Sequence, residues 1–221
     1  MLLRFSKILF FVTAICLELP LSAQTDDIVS YSSLDEAIEA EIEGIDFSDM
    51  SDVDEFAIRG RSLIAPDVMT AFVRRYNPDF DHEIAEEYIN VGRKYGIRGD
   101  IAFCQAILET GWFRFDRGTA VEPTQHNYCG LGVVRNGLRG ACFISIHEGV
   151  TAHIQHLYAY AGRDPLPDGE ILVDPRFSAV KRGVATEWSD LNNRWAMNPL
   201  YGSKILKIYS DLRGFYDESD L

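Results

Sequence analysis

From residue 65 onward the chain is divided into short amphipathic segments by residues that start and stop helices, and this punctuation confines it to a mainly helical fold. Pro66 and Asp67 open a first helix that runs to Arg75, and Pro78 ends it by lacking a backbone donor and restricting its neighbour. Asp81 can cap the next, in which Ile84, Tyr88, Val91 and Tyr95 recur at i, i+4, i+7 and i+11 to give one buried stripe, with Gly96 as the stop. Asp100 can cap a third helix by accepting from a free first-turn amide, and Gly111 can supply the left-handed residue that ends it. Ser145-Ile146-His147-Glu148 is a capping box for a helix to about Ala161, with Val150, His153, Ile154, Leu157 and Tyr160 near one face. Asp174-Pro175-Arg176-Phe177 sets a cap before a proline at the first helical position. Trp188, Leu191 and Trp195, then Ile205, Leu206, Ile208, Tyr209 and Leu212, read as core. Residues 130–134 and 140–144 flank Asn136-Gly137 and predict a small hairpin. The expected class is mainly α (α+β), with one small β-hairpin.

The N-terminal part is different. Residues 1–23 carry Arg4 and Lys7, an apolar run over 8–17, and Leu21-Ser22-Ala23, which together read as a cleavable secretory signal. The run is shorter than the about 20 residues a spanning helix needs. Cys16 follows Ile15, bulkier than the small residue a lipidation site prefers. Between Asp26 and Glu55 stand twelve acidic residues and no basic one. Ser33-Leu34-Asp35-Glu36 is a capping box there, but little apolar surface follows it, so residues 24–64 read as an acidic, mostly flexible leader, either a solvated spacer or a partner-binding arm. The formal charge of −13 becomes one unit more negative when Arg4, Lys7 and Glu18 leave with the signal, which argues against nucleic acid as a partner. A chain of 221 residues, 47% of them apolar, allows one sizeable core, assigned to residues 65–221. The expectation is a monomer exported across the inner membrane to the periplasm, cell envelope or exterior, with no stable membrane insertion once the signal is cleaved.

The chemistry centres on Gln105-Ala106-Ile107-Leu108-Glu109-Thr110-Gly111-Trp112-Phe113. Glu109 falls at the end of an apolar helix beside Trp112 and Phe113, where its charged form loses water. Its pKa should rise, so that a proton is kept for a leaving group near neutral pH. A solvated helix-end glutamate beside core aromatics fits the same residues, since perturbed carboxylates mark sites only statistically. Glu148 and Asp174 are further carboxylates, each with a capping role that explains it without catalysis. His153 and His156 have a spacing that two metal ligands could use, but nothing nearby completes a zinc set, and Thr151 stands where His147-Glu148 would need a second histidine. No metal and no cofactor are expected. Cys104 falls mid-helix in apolar surroundings, which raise a thiol pKa and hide it, so it is no nucleophile. There is no Gly-x-Ser-x-Gly elbow and no phosphate-cradling glycine loop. In an exported chain disulfides persist, and Cys129 with Cys142, flanking the hairpin, is the simplest pair, leaving Cys104 buried and free.

Arg98-Gly99-Asp100-Ile101-Ala102-Phe103-Cys104-Gln105-Ala106-Ile107-Leu108-Glu109-Thr110-Gly111-Trp112-Phe113-Arg114-Phe115, followed by Asn127-Tyr128-Cys129-Gly130-Leu131-Gly132, resembles the endo-β-N-acetylglucosaminidase-like domain of bacterial wall hydrolases, glycoside hydrolase family 73. Gly149-Val150-Thr151-Ala152-His153-Ile154-Gln155-His156-Leu157, Val173-Asp174-Pro175-Arg176-Phe177 and Tyr201-Gly202-Ser203-Lys204-Ile205-Leu206 continue it, so that it spans about residues 66–213. The resemblance implies a lysozyme-like helical domain that cuts the β-1,4 bond between N-acetylglucosamine and N-acetylmuramic acid in peptidoglycan glycan strands, with Glu109 as the general acid.

The departure from the family lies in the hairpin lobe. Many members carry a second acidic residue there, whereas residues 133–141 hold Arg135 and Arg139 and no carboxylate. Paired carboxylates about 5 to 9.5 Å apart serve ordinary hydrolysis, but substrate-assisted routes use the sugar's own acetamido group. Glu148, Asp174, a tyrosine-held water and the acetamido group all remain open as the second participant. Trp112 could support the acid or contact sugar, and Asn127, Tyr128, Tyr160 and Tyr201 could orient the acetamido group or water, although Tyr160 and Tyr201 could equally pack with a satisfied hydroxyl. Two other functions fit: a lytic transglycosylase with a single glutamate, and an inactive peptidoglycan-binding module.

Overall fold

The computed structural model describes residues 56–116, 119–133 and 140–219. The signal segment 1–23 and residues 24–55 of the leader lie outside them. Among the described residues the helices are α1 (Pro66–Arg74), α2 (His82–Tyr95), α3 (Gly99–Thr110), α4 (Ile146–Ala161) and α5 (Tyr201–Ser219), with short 3₁₀ turns at Pro123–Gln125, Phe177–Ala179 and Trp188–Leu191. None of these helices is long and apolar enough to cross a membrane.

Most helix ends follow local chemistry. Asp81 accepts from the Glu83 N–H at 3.0 Å to start α2, and Gly96 ends it at φ 64°. Ser145 accepts from the Glu148 N–H at 3.1 Å, one half of the expected capping box, while the Glu148 carboxylate reaches one residue past the cap to accept from the Ile144 N–H at 2.6 Å. The start of α3 meets expectation in part: Asp100 accepts from the first-turn Ile101 N–H at 3.1 Å. The preceding amides are capped from far away in sequence, the Ser62 hydroxyl accepting from the N–H groups of Gly99 and Asp100 at 3.0 and 3.4 Å. Asp100 lies inside the helix, fully buried, paired with Arg98 at 3.0 Å and accepting from the Leu63 N–H at 2.8 Å.

Residues 56–64, read from sequence as the end of the leader, therefore belong to the folded part. Ile58 is fully buried, its N–H donates to the Thr186 carbonyl at 2.8 Å and its carbonyl accepts from the Arg98 N–H at 2.9 Å. The Trp188 indole N–H donates to the Ala57 carbonyl at 3.2 Å. Such a strap has only Ile58 and Ile64 as buried anchors and no periodicity, so the sequence pattern passes over it.

α3 is apolar all round and sits at the centre, between α2 and α5, while α4 lies against α2. Gly99 permits the α2–α3 approach, because a Cβ there would lie 2.1 Å from the Tyr88 carbonyl oxygen. α3 is thus held rigidly, and with it Glu109 in its last turn.

The lobe after α3 carries less sheet than the spacing suggests. The two arms are joined by the Ala141 N–H donating to the Leu131 carbonyl at 2.7 Å, and Phe143 pairs with Gln125 at 2.9 Å, but among the described residues only isolated bridges form. Asn136 and Gly137 lie outside the described residues. The expected Cys129–Cys142 disulfide is corrected: Cys104, Cys129 and Cys142 are all free thiols. Phe143 and Cys129 share a small buried cluster with Leu131 and Ala152, whereas Cys142 is exposed.

Candidate active site

Glu109 is presented by a constrained turn. After Gly111 at φ 60°, three aromatic residues also have positive φ, Trp112 at 64°, Phe113 at 58° and Phe115 at 53°. Such conformations cost roughly 1–3 kcal/mol each and persist only where surroundings over-determine them. Here the Thr110 hydroxyl donates to the Ala106 carbonyl at 2.6 Å and accepts from the Phe113 N–H at 2.9 Å. The Asn77 side-chain amide reaches the carbonyls of Trp112 and Phe113, each at 3.2 Å. Trp112 stacks on Tyr76 with ring centroids 3.8 Å apart.

The Glu109 carboxyl accepts from the Tyr201 hydroxyl and from the Trp195 side chain, whose sole donor is the indole N–H. Burial raises its pKa from 4.5 to about 7, and the two donors, which favour the charged form, hold it from going higher. Tyr201 ends a buried chain. Since its proton goes to Glu109, its oxygen accepts from the Gln105 amide at 2.8 Å, which leaves the Gln105 carbonyl oxygen to accept from His153 Nε2 at 3.1 Å. His153 Nδ1 is then bare and accepts from the Tyr88 hydroxyl at 2.7 Å. Burial, with a smaller effect from His156, pushes the His153 pKa down to about 3, so the ring is neutral and one proton order runs along the chain.

Trp195 forms the other wall. Its ring meets His156 edge-on at 4.9 Å and lies 5.9 Å from Tyr160, both on α4. Asp174, whose side chain is fully buried, fixes His156 by accepting from Nδ1 at 2.8 Å and uses its other oxygen on the Arg176 N–H at 2.7 Å. Beyond Trp195 opens a cavity of about 210 Å³ lined by Cys129, Tyr160, Arg176, Val180 and Arg194 among others. Burial raises the Cys129 thiol pKa, and the Glu109 carboxylate adds to that rise.

Residues 85–214, more than half of the chain, match the family described as mannosyl-glycoprotein endo-beta-N-acetylglucosaminidase. The chain belongs to the glucosaminidase family. An uncharacterised protein of Borreliella burgdorferi is 38% identical over 148 residues, covering 65% of this chain and 71% of that protein. Among solved structures, the catalytic domain of the autolysin Auto from Listeria monocytogenes aligns with a TM-score of 0.40 at 15% identity, over 86% of this chain and 99% of that one. The protein is a glycosidase by family.

Of the residues expected at the glucosaminidase site, Glu109 and Tyr201 are brought together, and Tyr160 lines the adjoining cavity. The others have their polar groups or rings engaged elsewhere. Asn127 is fully buried, donating to the carbonyls of Leu131 and Ala141 at 2.9 and 3.0 Å and accepting from the Leu131 N–H at 3.0 Å, so it pins the lobe. Tyr128 packs on Phe113 and meets His126 at 3.3 Å, and Trp112 rests on Tyr76 and Phe72. Trp195, Gln105, His153 and His156 were not expected as site residues. For the histidines a signal existed in their i, i+3 spacing, which places both on the α4 face toward Trp195.

Proposed function

We propose that this glucosaminidase is an exported peptidoglycan hydrolase that cuts the β-1,4 bond between N-acetylglucosamine and N-acetylmuramic acid, with Glu109 as general acid in a lysozyme-like domain. The observation that carries the reading is the Glu109 carboxyl, poised near pH 7 and held by Tyr201 and by Trp195, which itself lines a cavity. Export rests on residues 1–23 reading as a signal.

A glycosidic oxygen is a poor leaving group until it is protonated. Glu109 gives its proton to that oxygen as the bond to the sugar's anomeric carbon breaks. Neither Glu148 nor Asp174 is free to attack or to activate water. Glu148 holds the Ile144 N–H, and both Asp174 oxygens are bonded beneath the surface. Among the described residues this favours the substrate-assisted route: the acetamido oxygen closes on the anomeric carbon as the leaving oxygen takes the proton, and water then opens the ring and returns a proton to Glu109.

Mass spectrometry of fragments released from purified peptidoglycan tests this. Hydrolysis leaves a reducing N-acetylglucosamine end. A muramic acid end lighter by one water would instead assign a lytic transglycosylase, and absence of any cleavage would leave a binding module.

A further inference from the structure

We propose that Arg176 and Arg194 form a carboxylate-binding subsite in the cavity beside Trp195, one that recognises the acidic group carried by the muramic acid unit rather than the sugar ring. This rests on the reading above of peptidoglycan as substrate. Two sources share the chemistry: the free lactyl carboxylate of a strand stripped of peptide, and the carboxylates of the stem peptide attached at that position.

The argument begins with charge. In a chain of net charge −13, several cations have partners: Arg59 pairs with Asp164, Lys94 with Glu170, Arg98 with Asp100, and Arg182 donates to the carbonyls of Gly162 and Asp164. The Arg176 and Arg194 guanidinium groups have no carboxylate or carbonyl partner among the described residues, and both face the same cavity. Tyr160 lines the same cavity, and both positive charges favour the ionised form of its hydroxyl. Both side chains are exposed, so water screens their mutual repulsion, and an incoming carboxylate meets two cationic groups lining one cavity.

The two arginines are also fixed at the backbone. The Arg176 N–H is held by Asp174, the residue that orients His156. The Arg194 carbonyl accepts from the Tyr160 hydroxyl at 3.2 Å, and its N–H donates to Leu191 at 3.0 Å. A planar guanidinium binds a carboxylate through two parallel N–H donors, and two of them straddling a cavity can take both oxygens. Because Trp195 lines this cavity and also donates to Glu109, a carboxylate bound here lies one side chain from the acid. Binding it would set which sugar occupies the position next to the scissile bond.

The experiment uses the full chain carrying Glu109→Gln, so that binding is read without turnover, and titrates three glycans of equal length: a neutral N-acetylglucosamine oligomer, an alternating strand with free lactyl groups, and the same strand bearing stem peptides. Arg176→Gln with Arg194→Gln should weaken binding to one or both acidic strands about tenfold or more, as loss of charge-assisted hydrogen bonds implies, and leave the neutral oligomer unchanged. Which acidic strand loses more identifies the source. Arg→Lys at both positions, keeping charge but not the fork, should restore binding in part. Equal loss on all three glycans, or no loss on either acidic strand, overturns the subsite. In the Glu109-containing protein, failure to cleave peptidoglycan would sink the hydrolase reading while leaving arginine-dependent binding intact, so the two failures are distinguishable.

Discussion

Glu109 is a carboxylic acid whose proton is retained by burial, and its two donors set the limit of that retention. With its pKa raised to about 7, the acid form is abundant below that pH and is lost above it. The rate of glycan cleavage should therefore fall on the alkaline side with a midpoint near 7 if Glu109 is the acid. Glu109→Gln keeps the shape and removes the proton, and fragment release should drop by about 10² or more, the lower range for general acid catalysis. Release at the parental rate would remove Glu109 from the mechanism. The same titration affects stability. The folded carboxyl still holds a proton between its ordinary 4.5 and about 7, an interval over which the unfolded chain has already released it, so stability falls as pH rises through that window and levels off above it. Glu109→Gln lacks this slope. Melting temperatures should thus draw apart in the variant's favour from pH 5 to pH 8, and parallel curves would mean that the carboxyl is not desolvated.

At the scale of elements, α2, α3, α4 and α5 meet through one hydrogen-bonded chain, from Tyr88 through His153, Gln105 and Tyr201 to Glu109. The links from Tyr88 to Tyr201 are buried, the Tyr201–Glu109 link is part-buried, and all are satisfied, which is the condition under which a polar network orders a core instead of weakening it. Tyr201→Phe removes a donor that lowers the Glu109 pKa, so the alkaline limb of the rate profile should move to higher pH. A limb that stays in place would show that the hydroxyl does not tune the acid. His153→Phe orphans the Gln105 carbonyl and the Tyr88 hydroxyl, and chemical denaturation should register a loss of roughly 1–3 kcal/mol for each group. These elements also show where sequence was legible. Asp81, Gly96, Gly111 and the Ser145–Glu148 box act within a few residues, so their roles can be read from spacing alone. Asp100 accepts from the first-turn Ile101 N–H as its position suggests, but it lies within the helix, and Ser62, which caps the two amides before it, comes from a strap without periodicity. Trp195 looked like core, and its ring does pack as core, but its N–H points at Glu109, which no pattern along the chain encodes. His153 and His156 have a metal-like spacing, yet their partners come from α2, α3 and the Asp174 turn. Cys129 is buried and Cys142 exposed, a difference in facing that their spacing does not encode.

For the molecule as a whole, the decisive boundary is the one between acidic leader and folded core. Composition puts it at residue 65, but the structure carries the core back to at least Phe56. Removing residues 1–64 would take away Ile58 and Ile64, both buried, the Ala57 carbonyl that satisfies the Trp188 indole, and the Ser62 hydroxyl that caps α3. Loss of a helix cap costs about 0.5–2 kcal/mol, and stripping a large aliphatic side chain from a core costs about 2–5 kcal/mol. Together these rival the whole stability of a small domain, about 5–15 kcal/mol. The effect should reach the site, because α3 carries Glu109 at its far end and Trp188 abuts the start of α5, where a Cβ on Gly202 would lie 2.4 Å from the Trp188 carbonyl oxygen. A protein beginning at residue 50 should melt cooperatively and retain activity, since the acidic stretch before it offers little apolar surface to offset its ordering entropy. One beginning at residue 65 should melt at least 10 °C lower or fail to fold, by the scaling of about 2–4 °C per kcal/mol for a domain of this size. Equal melting temperatures for the two would mean that the strap contributes nothing to the fold, and that the boundary stands where composition places it.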